Sequence, residues 1–453
     1  MTPELLAASG ARYSRSNDGL QAILAKIDPN NLDRSVDSIF RMIDYGHQSI
    51  ADMAPVAMFM DNMSLWLAYH VWTLCATAGG QESSTRYIRL EAEGLVDPNE
   101  IGIPALEKEE WLALMAQSFA AYRAALQFWE EIAAESPDVT RIPRSLLEDM
   151  SPKGERAVER MRRNYAFDRA RYWLPVAART NVMLVMSARA WVALCQNLLS
   201  HPLPEANALG SGIARELAFS APRMMKHATE KTSYRNGIEG EFRSLADRAR
   251  KTEVPALDED GVDAESSSAP HIEIMLPAGA TEEDLLRDLS YHDNRYSWVG
   301  ETLKRTAVRF WWEGITLAEI RDLNRHRTGT KHSPLLPLGF YAALDQLPEG
   351  IGRRDERRAQ LHALAETGRA MSRRALTLLR ADDPRYIYWA PLGTQYLFEH
   401  ITTADKFIYE AELRTGTGAH YRYAQHLHEA LELWYRRFPS TRSLILEGCA
   451  EPE

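Results

Sequence analysis

The sequence predicts an α+β fold, helix-rich and built as two tandem domains, and three observations carry that expectation. A central stretch rich in acids, Pro, Ser and Gly divides the chain into halves of similar size. Each half opens on a short helix-like segment and continues in apolar-periodic helices. Each then passes through a polar motif into an Arg-rich, aromatic helical region.

The elements follow in order. Pro3 to Ala11 reads as a short helix, and Ser49 sits in the periodic region after it. Gly79-Gly80 reads as a turn leading into a polar segment that ends Glu82-Ser83-Ser84-Thr85-Arg86-Tyr87. The first half goes on to an Arg-rich, aromatic region containing Arg171-Tyr172-Trp173-Leu174-Pro175. From Thr252 to Pro270, a run including Asp258, Glu259, Asp260, Asp263 and Glu265 leaves almost nothing to bury. Domains are therefore expected over residues 1–250 and 271–453, with 251–270 as an acidic linker. In the second half, Thr281 to Leu289 repeats the opening helix and Ser297 the serine. Gly314 to Arg327 carries Ile315, Ala318, Ile320 and Leu323 at helical spacing, with Gly329 as its stop, which places Arg325, His326 and Arg327 in a last turn. Tyr388-Trp389-Ala390-Pro391 then matches the first half's aromatic region, and the spacings onward from the two prolines agree.

Two readings stand beside each motif. Cations at a helix C-terminus complement the macrodipole, so a basic last turn has a purely structural explanation. Arginines closing on one site would instead offer planar forks to a pyrophosphate or an anionic ring. Likewise Glu82 can accept from a sugar hydroxyl or base N–H and Arg86 can clamp a phosphate, or the segment is a solvated loop. Other constellations carry less. His426-Leu427-His428 puts its rings on different helix faces, against a metal site. Gly210-Ser211-Gly212 lacks the third glycine and preceding strand of a dinucleotide fingerprint, and the eleven tryptophans read as core.

A net charge of -10 over 453 residues argues against a general nucleic-acid polymer binder, while leaving room for a local basic pocket. Cys75, Cys195 and Cys449 are too few and scattered for a disulfide framework or a zinc site. No opening segment reads as a signal peptide, and Val182 to Leu199 is broken by Arg189 and Gln196, short of a membrane span. A cytoplasmic protein with no membrane partner is expected.

With these residues in view, the chain resembles the flavin-dependent thymidylate synthase (thymidylate synthase complementing protein) family. Its signature is Arg-His-Arg, seven residues, Ser, then usually Arg-Tyr, preceded by Gly-His-x-Ser. Gly46-His47-Gln48-Ser49 matches the early part, and Asp52 stands at a usual Glu, but the first half reads Leu74-Cys75-Ala76 where Arg-His-Arg belongs. The second half keeps Arg325-His326-Arg327, yet has Leu335, Pro337 and Leu338 at the Ser-x-Arg-Tyr positions. Losses go on alternating. Arg171 matches a nucleotide-binding arginine replaced by Ile387 in the other half; Arg189 matches a flavin-contacting arginine replaced by Asp405; Arg414 matches a later nucleotide arginine replaced by Leu198.

The resemblance implies a tandem duplication with complementary, degenerate halves, a small sheet in each, and one composite site. It implies FAD as cofactor, NADPH and methylenetetrahydrofolate as co-substrates, and conversion of dUMP to dTMP without a cysteine nucleophile. Glu82, Ser84, Arg86, Arg171 and Arg414 would bind the nucleotide, with Ser84 and Arg414 as the catalytic pair. Ser49, Arg189, Arg325, His326 and Arg327 would bind the flavin, and no metal is implied. Because the family forms homotetramers with shared sites, a homodimer of two-domain chains, a pseudo-tetramer, is expected. Departures also enter: Ser187 replaces an Asn, Met53 a His, and Asp322 a Gln just before Arg-His-Arg. An ionised Asp offers only acceptors where an amide offers both roles, which opens a second reading, modification of another pyrimidine nucleotide. A third is a non-catalytic nucleotide-binding pseudoenzyme.

Overall fold

In the computed structural model the residues described are 2–28, 30–34, 36–37, 39, 48–75, 77–257 and 269–448. His47 and its glycine, Ala76, Cys449 and the acidic run from Asp258 to Glu265 lie outside them. The first half runs α1 (Pro3–Tyr13), α2 (Ser49–Asp52), β1 (Pro55–Ser64), α3 (Leu65–Leu74), β2 (Gly79–Glu82), α4 (Lys108–Glu135), α5 (Pro152–Ala170), β3 (Arg179–Ser187), α6 (Ala188–Leu199), α7 (Pro204–Ser220) and α8 (Thr232–Lys251). The second runs β4 (His271–Met275), α9 (Glu282–Leu289), α10 (Glu301–Arg305), β5 (Ala307–Thr316), α11 (Leu317–Leu323), β6 (Thr330–His332), β7 (Gly339–Phe340), α12 (Arg354–Arg380), β8 (Thr394–Thr403), α13 (Ala404–Thr415) and α14 (Tyr421–Arg437). The fold is α+β, with helices predominating and a small antiparallel sheet in each half.

Corresponding elements share local chemistry as well as order. Both β1 and β5 are ten residues long and pass directly into a helix whose N-cap hydroxyl closes the first turn: Ser64 accepts from Leu67 N at 3.0 Å and Thr316 from Glu319 N at 3.3 Å. Each strand carries a bulge two residues before that cap, where the extra residue needs a left-handed backbone. Asn62 (φ 63°) and Gly314 (φ 92°) fill those places, the residue types that tolerate it best. Ser187 caps α6 in the same manner, accepting from Ala190 N at 3.2 Å.

This local chemistry corrects three expectations. Gly314, Ile315 and Thr316 belong to β5 rather than to a helix, and Arg325, His326 and Arg327 follow α11 instead of ending it. A strand joined to a helix without a polar break reads as continuous apolar periodicity. Gly79-Gly80 is not a turn but the start of β2, where a Cβ on Gly80 would meet Met183 O at 2.2 Å. The stretch after Thr252 is not empty of burial either: Val254 and Leu257 are buried, and Arg373 Nε donates to Leu257 O at 2.6 Å.

By compactness the chain forms two units. One comprises Met1–Ser83, Leu95–Ala105 and Ala177–Ser244; its sheet has the order β1-β3-β2, and α6 and α7 pack together beside it. The other comprises Ser84–Gly94, Leu106–Val176 and Leu245–Glu453. Its sheet has the order β4-β5-β8-β6, with β7 on β8, and α4 packs on α5 and α12. In that unit the two aromatic regions meet directly. Val176 N–H donates to Ala390 O at 3.0 Å and Leu392 N–H to Leu174 O at 2.8 Å, a reciprocal pair around the bridge Pro175–Pro391. Buried Trp111, Trp129, Trp173, Trp312, Trp389 and Trp434 fill its core. No helix among the described residues is long and apolar enough to cross a membrane.

Candidate functional site

Three arginines from distant parts of the sequence converge within the second unit. Arg86 lies in the segment after β2, where Ser84 Oγ accepts the Arg86 N–H at 3.1 Å. Its guanidinium makes a two-toothed contact with Asp168 of α5, Nε and Nη2 each at 2.7 Å, and Nη1 donates to Gly418 O at 3.1 Å. Arg171, almost completely buried, follows α5 by one residue. Both its Nη atoms reach Asp322 Oδ2 at 3.1 Å, and Nη2 also donates to Ala318 O at 3.2 Å. On α13, Arg414 donates from Nε to His326 Nε2 at 2.8 Å and from Nη2 to Asp322 O at 2.9 Å.

Asp322, on α11, is the hub. Burial opposes its charge, but Arg171, Arg414, Arg86 and Arg325 together hold its pKa down to about 2. His420 supports the cluster from the N-cap of α14: its Nδ1 accepts from Arg422 N at 3.1 Å, which leaves Nε2–H to donate to Asp168 O at 3.0 Å. Burial, with Arg171 and Arg86 nearby, pushes this imidazole well below its ordinary range, so the ring is neutral. His326 behaves alike. Burial first, and then the Arg414 charge, bring it to about 3, which suits a nitrogen that accepts from a guanidinium. Beneath it lies buried Glu410, with His400 Nδ1 at 2.9 Å. Lys331 Nζ donates to His326 O and holds the loop.

Beside this cluster opens a cleft of about 490 Å³, whose walls include Arg295, Tyr296, Arg325, Arg327, Lys406 and Arg414. Arg325 and Arg327 are exposed. The one lining carboxylate, Asp405, accepts from Thr403 Oγ1 at 2.5 Å and lies 3.2 Å from Lys406. Cations thus outnumber acids on its walls, and a focused positive field favours an anion. Arg295 and Lys406 were not singled out from the sequence, since neither falls in a motif; only the folded chain brings them beside Arg325.

The remaining site residues belong to the first unit. Ser49 begins α2 and is exposed, and Glu82 ends β2 opposite Val182. Arg189 pairs with Asp52 at 2.9 Å, both about half exposed, and Ser187 Oγ approaches the same carboxylate at 3.3 Å. Elsewhere, His426 is buried 3.1 Å from Glu319 whereas His428 is half exposed against Glu447, so the two rings do face different sides. Cys75 and Cys195 are buried, which raises each thiol to about 12 and leaves neither as a ready nucleophile.

Residues 1–223 match the family described as thymidylate synthase complementing protein. Along almost its full length the chain is also similar to UPF0159 protein Ta1429 of Thermoplasma acidophilum (strain ATCC 25905), 24% identical over 463 residues, covering 91% of this chain and 88% of that relative. The matched residues 1–223 hold β1, β2 and β3 and the Ser84, Arg86 and Arg171 positions, so over that stretch the chain is similar to the thymidylate synthase complementing protein family.

Proposed function

We propose that this protein is an FAD-dependent enzyme that methylates a pyrimidine nucleotide at C5, in the manner of a thymidylate synthase converting dUMP to dTMP with methylenetetrahydrofolate and NADPH. One observation carries the reading: Arg86 and Arg171 from the first half and Arg414 from the second, each lost from the opposite half, gather around Asp322 in one compact unit. Decay toward a pseudoenzyme gives no reason for the surviving members of two broken motifs to meet. We propose that the chain arose by tandem duplication and works as a cytoplasmic homodimer, with domains over 1–250 and 271–453.

The residues suit the groups they would hold. Arg325, Arg327, Arg295 and Lys406 line an anion-favouring cleft, which fits the diphosphate of FAD; Ser49 and Arg189 carry over from the resemblance as further flavin contacts. Bound flavin would supply the hydride chemistry. The chain's own work is orientation and charge. Arg86, Arg171 and Arg414 would bind the nucleotide together with Glu82 and Ser84, with Ser84 and Arg414 nearest the reacting base. Neutral His326 fixes Arg414 without adding positive charge.

Asp322 favours a second reading, a related flavin-dependent modification of another pyrimidine nucleotide. Its carboxylate already engages Arg171, so a ligand meets an acceptor-only group and an arginine partly answered within the protein. Flavin content of the purified protein, followed by tritium release from C5 of dUMP, UMP and dCMP, tests both. A yellow protein active on dUMP supports the first reading, and activity on another base the second. A colourless protein that releases no tritium even with added FAD, reductant and folate would overturn both.

A further inference from the structure

Arg325 and Arg327 reach the cleft from a loop that leaves α11, and polar groups on β6, β8 and α13 fasten that loop. His400, on β8, is wholly buried. Its Nε2 lies 2.8 Å from Thr328 O, a carbonyl that only accepts, so this nitrogen carries a proton and donates. Nδ1 lies 2.9 Å from Oε2 of Glu410, on α13 and 1% exposed, where a second proton makes the ring a cation paired with the carboxylate. Lys331 Nζ donates to His326 O and, at 3.2 Å, to Thr328 O. Gly329 then brings the backbone flat against β8: its φ is 75°, and a Cβ there would meet Ile401 O at 2.3 Å.

The first half of the same chain offers the comparison. Counted from the N-caps Ser187 and Thr403, which precede the 12-residue helices α6 and α13, His400 corresponds to Leu184 and Glu410 to Leu194. Both leucines are buried. Across the ladder Lys331 pairs with His400 as Gly80 pairs with Leu184. The half that reads Leu74-Cys75-Ala76 therefore has Leu, Leu and Gly, and the half that keeps Arg325-His326-Arg327 has His, Glu and Lys. Burying an ion pair costs desolvation that leucines avoid, and such a pair often stabilises a fold no more than apolar residues of like volume. Stability thus gives no reason for the pair, whereas the loop it fastens does.

We propose that Glu410, His400 and Lys331 are positioning residues for the anion-binding cleft, holding the loop so that its arginines are in place before a ligand arrives. The carboxylate fixes the imidazolium, and the imidazolium and the ammonium fix the carbonyls of His326 and Thr328. Those two carbonyls flank Arg327 and set the reach of its guanidinium. An untethered loop would have to be ordered on binding, and that ordering subtracts from affinity. Only the identity of the ligand as FAD rests on the proposed function.

The test gives the second half the first half's residues, in the full chain. The double variant His400→Leu, Glu410→Leu should melt no lower than the parent, yet bind FAD and inorganic pyrophosphate at least about tenfold more weakly, the loss of one charge-assisted contact. Hydrogen exchange should quicken over residues 325–332 and stay parental elsewhere. Parental affinity, or parental exchange over 325–332, in the folded variant would overturn the proposal. If the double variant fails to fold, Glu410→Gln, which keeps the shape and removes the charge, is judged by the same two measurements. A parent that takes up pyrophosphate but no FAD would end the flavin reading, while the pyrophosphate affinities still decide this one. If the parent binds neither, the flavin reading falls and exchange over 325–332 decides alone.

Discussion

Asp322 shows how much one residue decides. It answers Arg171, a guanidinium otherwise sealed from water, so Asp322→Asn should cost on the order of 3 kcal/mol, measured by urea unfolding at pH 7. The pH dependence follows from the sign of its shift. A carboxyl whose folded pKa is depressed to about 2 contributes stability that is complete above its unfolded value near 3.8 and is lost as pH falls through about 2. The asparagine variant should therefore lose less stability than the parent over that window. Buried histidines act at higher pH. Burial lowers His70 to about 4, and His201 and His326 to about 3, so each stabilises the fold fully above pH 6.5 and progressively less as pH drops toward its folded value. Melting temperature should accordingly fall between pH 6.5 and 4, and a flat profile there would contradict the neutral, buried rings. At the cleft, Arg327→Ala should release flavin from a protein that keeps parental circular dichroism; unchanged flavin occupancy would speak against the cofactor assignment.

At the scale of elements, the bulges and caps account for what the sequence revealed and what it hid. Arg86, Arg171, Arg325 to Arg327 and Arg414 were legible because guanidinium groups at motif spacing have few equivalents. Asp168 was not, since nothing separates it from other acids of an exposed-looking, Arg-rich helix until Arg86 folds onto it. The boundaries at Ser64 and Thr316 were hidden because each strand feeds a helix with no glycine or proline between them. Their bulges yield a contrast between two positions of like geometry. Asn62→Gly should leave stability within about 1 kcal/mol of the parent, since glycine accepts the same positive φ, whereas Gly314→Val should destabilise by more. Paired thermal melts check this, and equal losses would mean the left-handed conformation is not what those residues supply.

For the whole molecule, the proposed arrangement joins two incomplete halves into one nucleotide site. A ten-residue strand feeding a capped helix recurs in both halves, and their aromatic regions meet at Pro175 and Pro391, so the likeness of the halves was legible, though only the folded chain shows Arg171 and Arg414 reaching the same aspartate. The most direct measurement is calorimetric titration of dUMP into flavin-loaded parent, Arg86→Lys and Arg414→Lys, one lesion from each half. Lysine keeps the charge but not the planar fork, and a lost charge-assisted contact worth roughly 1.5 to 3 kcal/mol predicts about a tenfold or greater loss of affinity in both variants, with flavin content unchanged. Affinity equal to the parent's in either folded variant would contradict a site composed from both halves.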